Sequence, residues 1–494
     1  LSYLGDSVQI SSDGETIAAS SNSNSSAFAR VYKFNNGSWD FYNEETINSY
    51  DHRYNGRSLS LSNNGEILAV GSSTNFQINS INQEPSGSSG FSAGYIGYEE
   101  DPGNVRIYNT LVGDDDEIKA ELKKEWNWSK KLFDNESSAY DVSIDNEGSL
   151  YSTGFIIGNI DNEINNGGKD AFLTKLDNEG NIDWIRLLGS NNDWDQSRAL
   201  INDEYGNVYI AGEIVHDNTD IFVAKYTSEG KQEWYQEFKS TQDATHIGYL
   251  QEYVTDIEVG DDLSIYVSGY TSGDFEGVVN NNKKSDTFII KLNEKGQKEW
   301  VKLIDGDYST GGIDLGNNGN IFVGGATFSG FDDQPYPGTR SAYITSLNAD
   351  NGETNWTKIF EGDVIHGLAI DDENNIFTAG SYLDNQAFLN SFNDSGDMLW
   401  EKTIDNSSLV DDLIEGKDGL LYLSARTSSN GPSYIANFDK TGKQIWREDL
   451  PESIDSDSFP KYLSSLVEGD NSEFYFSGMK HNPEEGYTSY ISKF

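Results

Sequence analysis

The stretch Phe222–Trp234, FVAKYTSEGKQEW, contains the pattern that decides the fold of this 494-residue chain. Its consensus is aromatic-hydrophobic-x-x-hydrophobic-(D/N)-x-x-G-x-x-x-W, and the closing Trp recurs at spacings of 44 to 66 residues. Self-similarity at such a period indicates a repeat architecture. Five further copies follow the same pattern: Phe172–Trp184, Phe288–Trp300, Tyr343–Trp356, Phe388–Trp400 and Tyr434–Trp446.

A second element precedes each copy, as in Ser197–Glu213, SRALINDEYGNVYIAGE. Both elements alternate apolar and polar residues with period two, which predicts strands and excludes helical repeats. Short turns rich in Gly, Asn and Asp join the strands, and these residues tolerate positive φ. Each unit is therefore predicted to form four antiparallel strands, A to D. Sheets of this size bury both faces by stacking radially, so the sequence predicts an all-β fold, a β-propeller.

The number of blades follows from counting repeats. Nine A–B hairpins and eight register-matched Trp residues predict one propeller of eight to nine blades over residues 1–494, with two divergent blades in 1–133 and seven in 134–494. The last unit reaches Phe494 without a D strand, and Leu1–Leu4 is the natural source of the missing strand. The alternative is a seven-bladed ring made from units three to nine and sealed by the strand Lys124–Phe133.

Three known repeat types resemble these units. The L-D-x-x-G-x-x-x-W element resembles the tryptophan-docking motif of quinoprotein-like propellers, and Asp170–Asp177 together with Asn207–Gly212 resembles the bacterial SBBP repeat of secreted and surface proteins. The first two units, Gly5–Ser20 and Arg57–Ser72, resemble FG-GAP repeats. The resemblance implies the architecture but little about function, because propellers host unrelated activities.

Acidic residues dominate the charge: 82 Asp and Glu face 34 Lys and Arg, which gives a formal net charge of −48. Such a field repels phosphate backbones and anionic headgroups, so we expect neither nucleic-acid binding nor membrane insertion. The absence of Cys excludes disulfides, thiolate metal sites and Cys nucleophiles. An acidic, Cys-free chain rich in Asn, Ser and Gly is typical of exported proteins, so we expect a secreted or cell-surface bacterial protein.

Two repeated features favour structure over ligand binding. The regular register of the Trp residues predicts that each docks between adjacent blades with its indole N–H satisfied locally. The turns Asp145–Gly148 and Asp177–Gly180 lack the D-x-D-x-D-G run of a calcium loop, so tight-turn chemistry explains them.

Loop length separates the two faces of the predicted propeller. The A–B and C–D connections are tight, whereas the B–C and D–A connections vary and emerge together on one face, which we call the long-loop face. Binding residues are more frequent on such loops. Trp194 stands outside every repeat position, and a loop folded back with this Trp as its plug is the alternative to a cation or carbohydrate contact. The predicted ligand-binding residues are Trp194, Tyr95, Tyr98, Phe275, Phe331 and Tyr336.

Calcium is the predicted cation, because carboxylates brought together by folding repel one another unless a cation intervenes, and oxygen ligands suit Ca²⁺. Asn191, Asp193 and Asp195 share one alternating side, and Asp305 with Asp307 forms a similar pair. Diffuse screening by solvent salt is the alternative. PQQ is not expected, since the vicinal Cys pair usual in PQQ dehydrogenases is absent.

Two hypotheses about the function of the chain remain. The first is a non-enzymatic binding or structural module, active in adhesion or assembly, with glycan or protein contacts on the long-loop face and strand exchange at the incomplete last blade. The alternative is a secreted polysaccharide lyase or glycoside hydrolase that uses loop carboxylates, Tyr and a His such as His52. The five His residues have no metal-ligand spacing, and no catalytic residue is assigned.

Overall fold

The structure is a computed structural model that describes two compact units, Leu1–Glu125 and Trp126–Phe494. In the first unit it describes the backbone of eight strands, and from residue 128 onward it describes the chain apart from short segments. Within the described residues no helix is long and apolar enough to cross a membrane. The segments outside the description are 192–193, 217, 242–251, 281–284, 305–307, 329–338, 383, 385, 429–430, 451–461, 470–472 and 483–485.

The first unit contains two four-stranded sheets, ordered β1-β2-β3-β4 and β5-β6-β8-β7. Every strand pair in them is antiparallel. Their strands are β1 (Ser7–Ile10), β2 (Thr16–Ser21), β3 (Ala27–Asn35), β4 (Ser38–Ile47), β5 (Asn55–Leu61), β6 (Ile67–Ser72), β7 (Ala93–Ile96) and β8 (Asn104–Asn109).

The second unit is a propeller of seven four-stranded antiparallel blades, which we number I to VII. Blades I to III comprise β10 (Ser137–Ile144), β11 (Leu150–Ile157), β12 (Lys169–Leu176), β13 (Ile182–Leu188); β14 (Gln196–Asn202), β15 (Val208–Val215), β16 (Thr219–Tyr226), β17 (Gln232–Phe238); and β19 (Glu252–Val259), β20 (Ile265–Thr271), β22 (Asp286–Leu292), β23 (Lys298–Ile304). A small extra pair joins β18 (Ser240–Thr241) to β21 (Asp274–Phe275).

Blades IV to VI repeat the same A-to-D order of strands. They comprise β24 (Tyr308–Leu315), β25 (Asn320–Thr327), β26 (Ser341–Asn348), β27 (Thr354–Phe360); β28 (Val364–Ile370), β29 (Ile376–Ser381), β30 (Ala387–Phe392), β31 (Met398–Ile404); and β32 (Leu409–Glu415), β33 (Leu421–Arg426), β34 (Ser433–Phe438), β35 (Gln444–Asp449). Blade VII comprises β36 (Tyr462–Glu468), β37 (Phe474–Asn482), β38 (Gly486–Lys493) and β9 (Trp128–Lys131).

The strand β9 closes the ring and corrects two predictions. It pairs with β38 through the partners Trp128↔Lys493 and Lys131↔Tyr490, so it supplies the D strand of the last blade. Eight or nine blades in one ring is therefore wrong, and Leu1–Leu4 is not the source of the sealing strand. The structure has the seven-bladed alternative. The edge on which strand exchange was predicted is paired within the chain.

Burial along the strands reflects the stacking of the blades. The B and C strands, such as β15 and β16, are buried at nearly every position because a neighbouring blade covers each face. The period-two alternation predicted for these strands is therefore corrected: they are nearly continuous apolar runs. The D strands at the outer edge start exposed, as in β17 and β31, since water covers one side.

Tryptophan docking joins neighbouring blades at the outer edge. The indole N–H groups of Trp184, Trp234, Trp300, Trp356 and Trp400 donate to a backbone carbonyl in the C–D turn of the next blade over 2.9–3.3 Å. Each ring lies over the Gly of that turn. A Cβ at Gly296, for example, would stand 2.8 Å from ring atoms of Trp234, so only Gly fits under the indole. The repeat therefore has the structural role that its register predicts.

The short turns are held by a side chain at their first position. The Oδ1 atom of Asp203 accepts the backbone N–H groups of Tyr205 and Asn207 at 3.0 and 2.9 Å. Asp177 makes the same pair of bonds to Glu179 and Asn181. These Asx-type bonds shape the turn without a metal.

Candidate functional site

A central cavity of about 400 Å³ lies where the innermost strands of all seven blades meet. Each A strand runs from a D–A loop toward a tight A–B turn, so its first half lies nearer the long-loop face. The described side chains that line the cavity include six carboxylates: Asp141, Asp256, Glu258, Asp314, Asp412 and Glu415. No basic residue is among these described lining residues.

Four of these carboxylates tie adjacent blades together. Asp141 accepts the N–H of Val142 in its own strand at 2.8 Å and that of Leu200 in blade II at 2.7 Å. Asp256 likewise joins blade III to blade IV by accepting from Ile257 at 2.8 Å and from Ile313 at 3.0 Å. Asp314 joins blade IV to blade V, and Asp412 joins blade VI to blade VII, in the same manner.

Burial makes the cavity carboxylates hard to ionise. Burial raises the pKa of Asp141 and Asp314 to about 7 and that of Asp256 to about 8, against the opposing effect of the backbone N–H bonds. The pKa of Glu258 is raised well above its usual range by burial and then by the charges of Asp314 and Asp256. Glu415 forms an ion pair with Lys440, whose ammonium lies 2.6 Å from the carboxylate.

A β-bulge near the start of six A strands sets a second layer of side chains, which lies nearer the long-loop face than the residues that line the cavity; we call this layer the mouth. The bulge inserts one unpaired residue and re-aims its side chain. Its identity differs from blade to blade, unlike the docked Trp. The bulge residues of blades I, II, III, V, VI and VII are Tyr140, Arg198, Thr255, His366, Asp411 and Ser464.

Three arginines lie in this layer, and a carboxylate faces each one. Arg198 donates to Glu213 at 3.0 Å, and Arg426 donates from Nε to Asp411 at 3.0 Å with a second bond to the other oxygen. Arg340 donates to Asp363 at 3.3 Å. Blades II and VI use equivalent positions with the charges exchanged, since Arg198 and Asp411 are both bulge residues. The three pairs leave this layer without net charge.

His366 is neutral at ordinary pH. Burial lowers its pKa to about 4, and the charges of Arg426 and Arg340 add to the effect. Its Nε2 atom is buried without a hydrogen-bond partner among the described residues. This imidazole therefore cannot act as a cation at the mouth.

An aromatic cluster lies on the long-loop face over blades I and VII, and we define it as Tyr140, Phe155, Lys169, Trp194 and Tyr487. The Lys169 ammonium lies 3.9 Å from the centre of the Phe155 ring and 4.3 Å from that of Trp194. Tyr140 and Tyr487 pack against Phe155 with ring centres 5.9 and 6.4 Å away. Trp194 is 61% exposed and Tyr487 38%, so the cluster presents ring surface to solvent.

Neighbouring residues extend the aromatic cluster in two directions. His481 packs on Tyr487 with ring centres 4.6 Å apart. The Arg198 guanidinium lies 4.9 Å from the Tyr140 ring and so connects the cluster to the arginine layer.

The predicted ligand-binding residues lie in different environments. Trp194 is 61% exposed with the Lys169 ammonium 4.3 Å from its ring, and its ligand-binding role stays a prediction. Phe275 lies in the core, fully buried and stacked on Phe288 at 4.6 Å, where it does not reach a ligand. Tyr95 lies in β7, but its side chain is outside the description, as are Tyr98, Phe331 and Tyr336; for these four the ligand hypothesis stays a prediction.

The predicted calcium residues are described only in part. Asp195 is fully buried, and its two oxygens accept the N–H groups of Ser190 and, at 2.7 Å, of Val215, so they brace the loop that carries Trp194. Asn191 is exposed, and Asp193, Asp305 and Asp307 lie outside the described residues. Within the described part of the chain, no group of three or more His, Asp or Glu is placed to hold a metal. Calcium stays a prediction.

Sequence reasoning missed the cavity carboxylates and Lys169. The signal for the first was available: carboxylates interrupt the apolar A strands in YDVSID, VTDIEVGD and VDDLIEG, where a polar residue must point into a shared interior. Lys169 had no comparable signal, because it starts β12 at a position where the repeat tolerates any residue.

The fold and the cavity define a seven-bladed β-propeller protein. No family model and no curated protein sequence matches the chain.

Solved structures with a similar fold include the WD40 propeller domain of Doa1, at 11% identity and a TM-score of 0.47, covering 74% of this chain and 96% of that one. The propeller domain of Cps50 (Swd1) from Myceliophteria thermophila has 11% identity and a TM-score of 0.46, covering 74% and 99%. A Bacteroides caccae protein of unknown function has 12% identity and a TM-score of 0.37, covering 60% and 93%.

Proposed function

We propose that this chain is a non-enzymatic binding module of the cell surface or extracellular space, and that it holds a glycan on the long-loop face. The observation that carries the proposal is the aromatic cluster, in which Trp194 stays 61% exposed and the Lys169 ammonium links its ring to that of Phe155. Exposed aromatic surface beside hydrogen-bonding groups is the composition of a binding surface. Lys169 and the Arg198–Glu213 pair supply those groups.

The backbone next to Trp194 is tied to the neighbouring strands, which favours a binding site over a flexible surface contact. Asp195 donates its backbone N–H to the Lys169 carbonyl at 3.0 Å, so the loop is tied to β12. The buried Asp195 carboxylate bonds hold it from the other side. A pre-organised ring loses less conformational entropy when a ligand stacks on it.

The experiment is a glycan-array screen of the full chain, followed by calorimetric titration of each bound glycan. Trp194→Ala should weaken binding at least tenfold. Tyr205→Ala is the matched control, because Tyr205 is an aromatic residue of similar exposure, 68%, in a tight A–B turn on the opposite face. Binding that depends on Tyr205 and not on Trp194 would place the ligand on the wrong face and refute the proposal.

The cavity carboxylates favour the second candidate function, a carbohydrate-active enzyme. Perturbed carboxylates in a concave site are typical of general acids. Against this, four of the six accept backbone N–H groups from two blades, which explains their position structurally. The test is release of reducing ends or unsaturated products from a polysaccharide panel; cleavage by the wild type that Glu258→Gln abolishes would favour the enzyme.

A further inference from the structure

Lys169 is unlike the other described lysines that contact aromatic rings, each of which has a polar side chain as partner. Lys130, 5.6 Å from the Trp128 ring, donates to the amide oxygen of Asn181 at 2.8 Å. Lys175, Lys225, Lys291 and Lys493 each lie 5.2–5.4 Å from the centre of a Tyr ring. Each of those four also has a carboxylate oxygen within 2.8–3.9 Å of its ammonium. Against a Tyr ring, each of these four ammonium groups thus keeps a counter-ion nearby.

Among the described residues, Lys169 has no such carboxylate. Its ammonium is closer to two rings than any of the four is to one, at 3.9 and 4.3 Å, and it forms no ion pair or hydrogen bond with the described chain. Burial lowers its pKa; the charge of Arg198 lowers it further, and that of Glu136 opposes the change. Within the part of the chain that the structure describes, this cation therefore lacks the carboxylate that the other four lysines have.

Trp194 adds surface of a kind that suits a sugar ring. An aromatic face binds the C–H face of a pyranose, while a neighbouring charged group selects the substituents on its edge. The other wall of the site, Phe155, is buried and held by Tyr140 and Tyr487, so the ammonium cannot retreat into the protein. A ligand that brings its own anion would complete the arrangement found at the other four lysines.

We propose that the aromatic cluster binds an oligosaccharide that carries an anionic sugar, a uronate or a sulfated residue, with the anion on Lys169 and the sugar ring on Trp194. The inference rests on the proposed function and names its ligand class. The net charge of −48 limits the ligand to sparse anionic groups, since a densely charged polymer is repelled. One anionic group in contact with Lys169 experiences little of that repulsion, because salt at 0.15 M screens the charges that lie more than about 8 Å away.

The experiment titrates the full chain with three oligosaccharides of one neutral backbone: unmodified, with one glucuronate, and with one sulfate. The wild type should bind an anionic form at least tenfold more tightly than the neutral form, and the two anionic arms identify the source of the charge. Lys169→Met keeps the apolar stem and should abolish this preference, whereas Lys169→Arg should retain it. Lys225→Met is the matched control, a lysine on a Tyr ring that already has Glu233 as its partner.

The outcomes separate the inference from the proposed function. Equal affinity for the three ligands, or a preference that survives Lys169→Met, overturns the anionic-sugar inference and leaves a neutral glycan module standing. Wild-type binding of neither anionic form, together with array ligands insensitive to Trp194→Ala, overturns both. Thermal melts of each variant establish that a loss of binding occurs in a folded protein.

Discussion

The outer edge of the propeller and its inner mouth are built from the same repeat but use it in opposite ways. At the outer edge, an indole packs over a turn Gly of the next blade and hydrogen-bonds to its backbone, and the arrangement recurs with little change for the Trp residues of blades I to V. At the mouth, the bulge residue is Tyr, Arg, Thr, His, Asp or Ser according to the blade. Repetition marks positions that hold blades together, and departure from it marks positions free to acquire binding roles.

Substitution of a turn Gly at the outer edge should have the largest effect. Gly296→Ala places a Cβ 2.8 Å from the Trp234 ring at a residue with φ +74°, so we expect a loss of about 2–4 kcal/mol in the free energy of unfolding. Gly148→Ala is the control, because φ is +81° but nothing lies within 4 Å. It should cost only the backbone strain, about 1–2 kcal/mol. Equal losses by urea denaturation would mean that indole docking contributes nothing at this edge.

The cavity carboxylates should make the folded protein less stable as the pH rises. Their folded pKa values are raised, to about 7 for Asp141 and Asp314 and about 8 for Asp256. Folding therefore favours the protonated form, so their stabilising contribution is complete below the unfolded pKa near 4 and is lost as pH rises through 7–8. The unfolding midpoint should fall between pH 5.5 and pH 8.5.

A variant separates this effect from the repulsion among surface carboxylates. Glu258→Gln should stabilise the fold more at pH 8.5 than at pH 5.5, by a difference on the order of 1–2 kcal/mol, and its effect should vanish only below the unfolded pKa near 4. Glu294→Gln, an exposed residue of a C–D turn, should change stability by less than about 0.5 kcal/mol at either pH. If the two variants respond alike, the cavity has no special role and general charge repulsion explains the pH dependence.

Loss of the indole hydrogen bond alone should have a smaller effect. Trp234→Phe keeps an aromatic ring over Gly296 but leaves the carbonyl of Glu294 without its 3.1 Å donor. We expect about 1 kcal/mol of destabilisation, the usual net value of one hydrogen bond. A loss as large as that of Gly296→Ala would indicate that the hydrogen bond, and not ring packing, dominates docking.

Substitution of Trp194, in the aromatic cluster, should have the smallest effect on stability. Trp194→Ala removes a ring that is 61% exposed, so the unfolding free energy should change by less than about 0.5 kcal/mol. The same substitution should weaken ligand binding at least tenfold, as set out above. A large destabilisation would instead support the alternative interpretation of Trp194 as the plug of its own loop.

The repeat predicts the contacts at the outer edge, but it does not indicate which residues lie at the mouth or in the aromatic cluster. Trp spacing and turn chemistry are local, so the strand order, the docking role and the tight turns follow from the sequence alone. The preferred blade number was wrong because the two divergent units of 1–133 were counted into the ring. Closure depends instead on β9, a four-residue strand inside the predicted alternative seal Lys124–Phe133, which pairs with residues more than 350 positions away. The aromatic cluster likewise joins residues from separate blades, and no spacing along the chain indicates that Phe155, Trp194 and Tyr487 meet.

The sealing strand has a consequence for the order of events during synthesis. In the chain, 355 residues separate Lys131, at the end of β9, from Gly486, at the start of β38. At roughly 5–20 residues per second, β9 leaves the ribosome roughly 20–70 s before its partner exists. Hairpins form in about 1–10 μs, so the intervening blades fold while β9 waits as an unpaired edge. Two of its four residues are lysines, Lys130 and Lys131, which discourage other nascent chains from pairing with it during that interval.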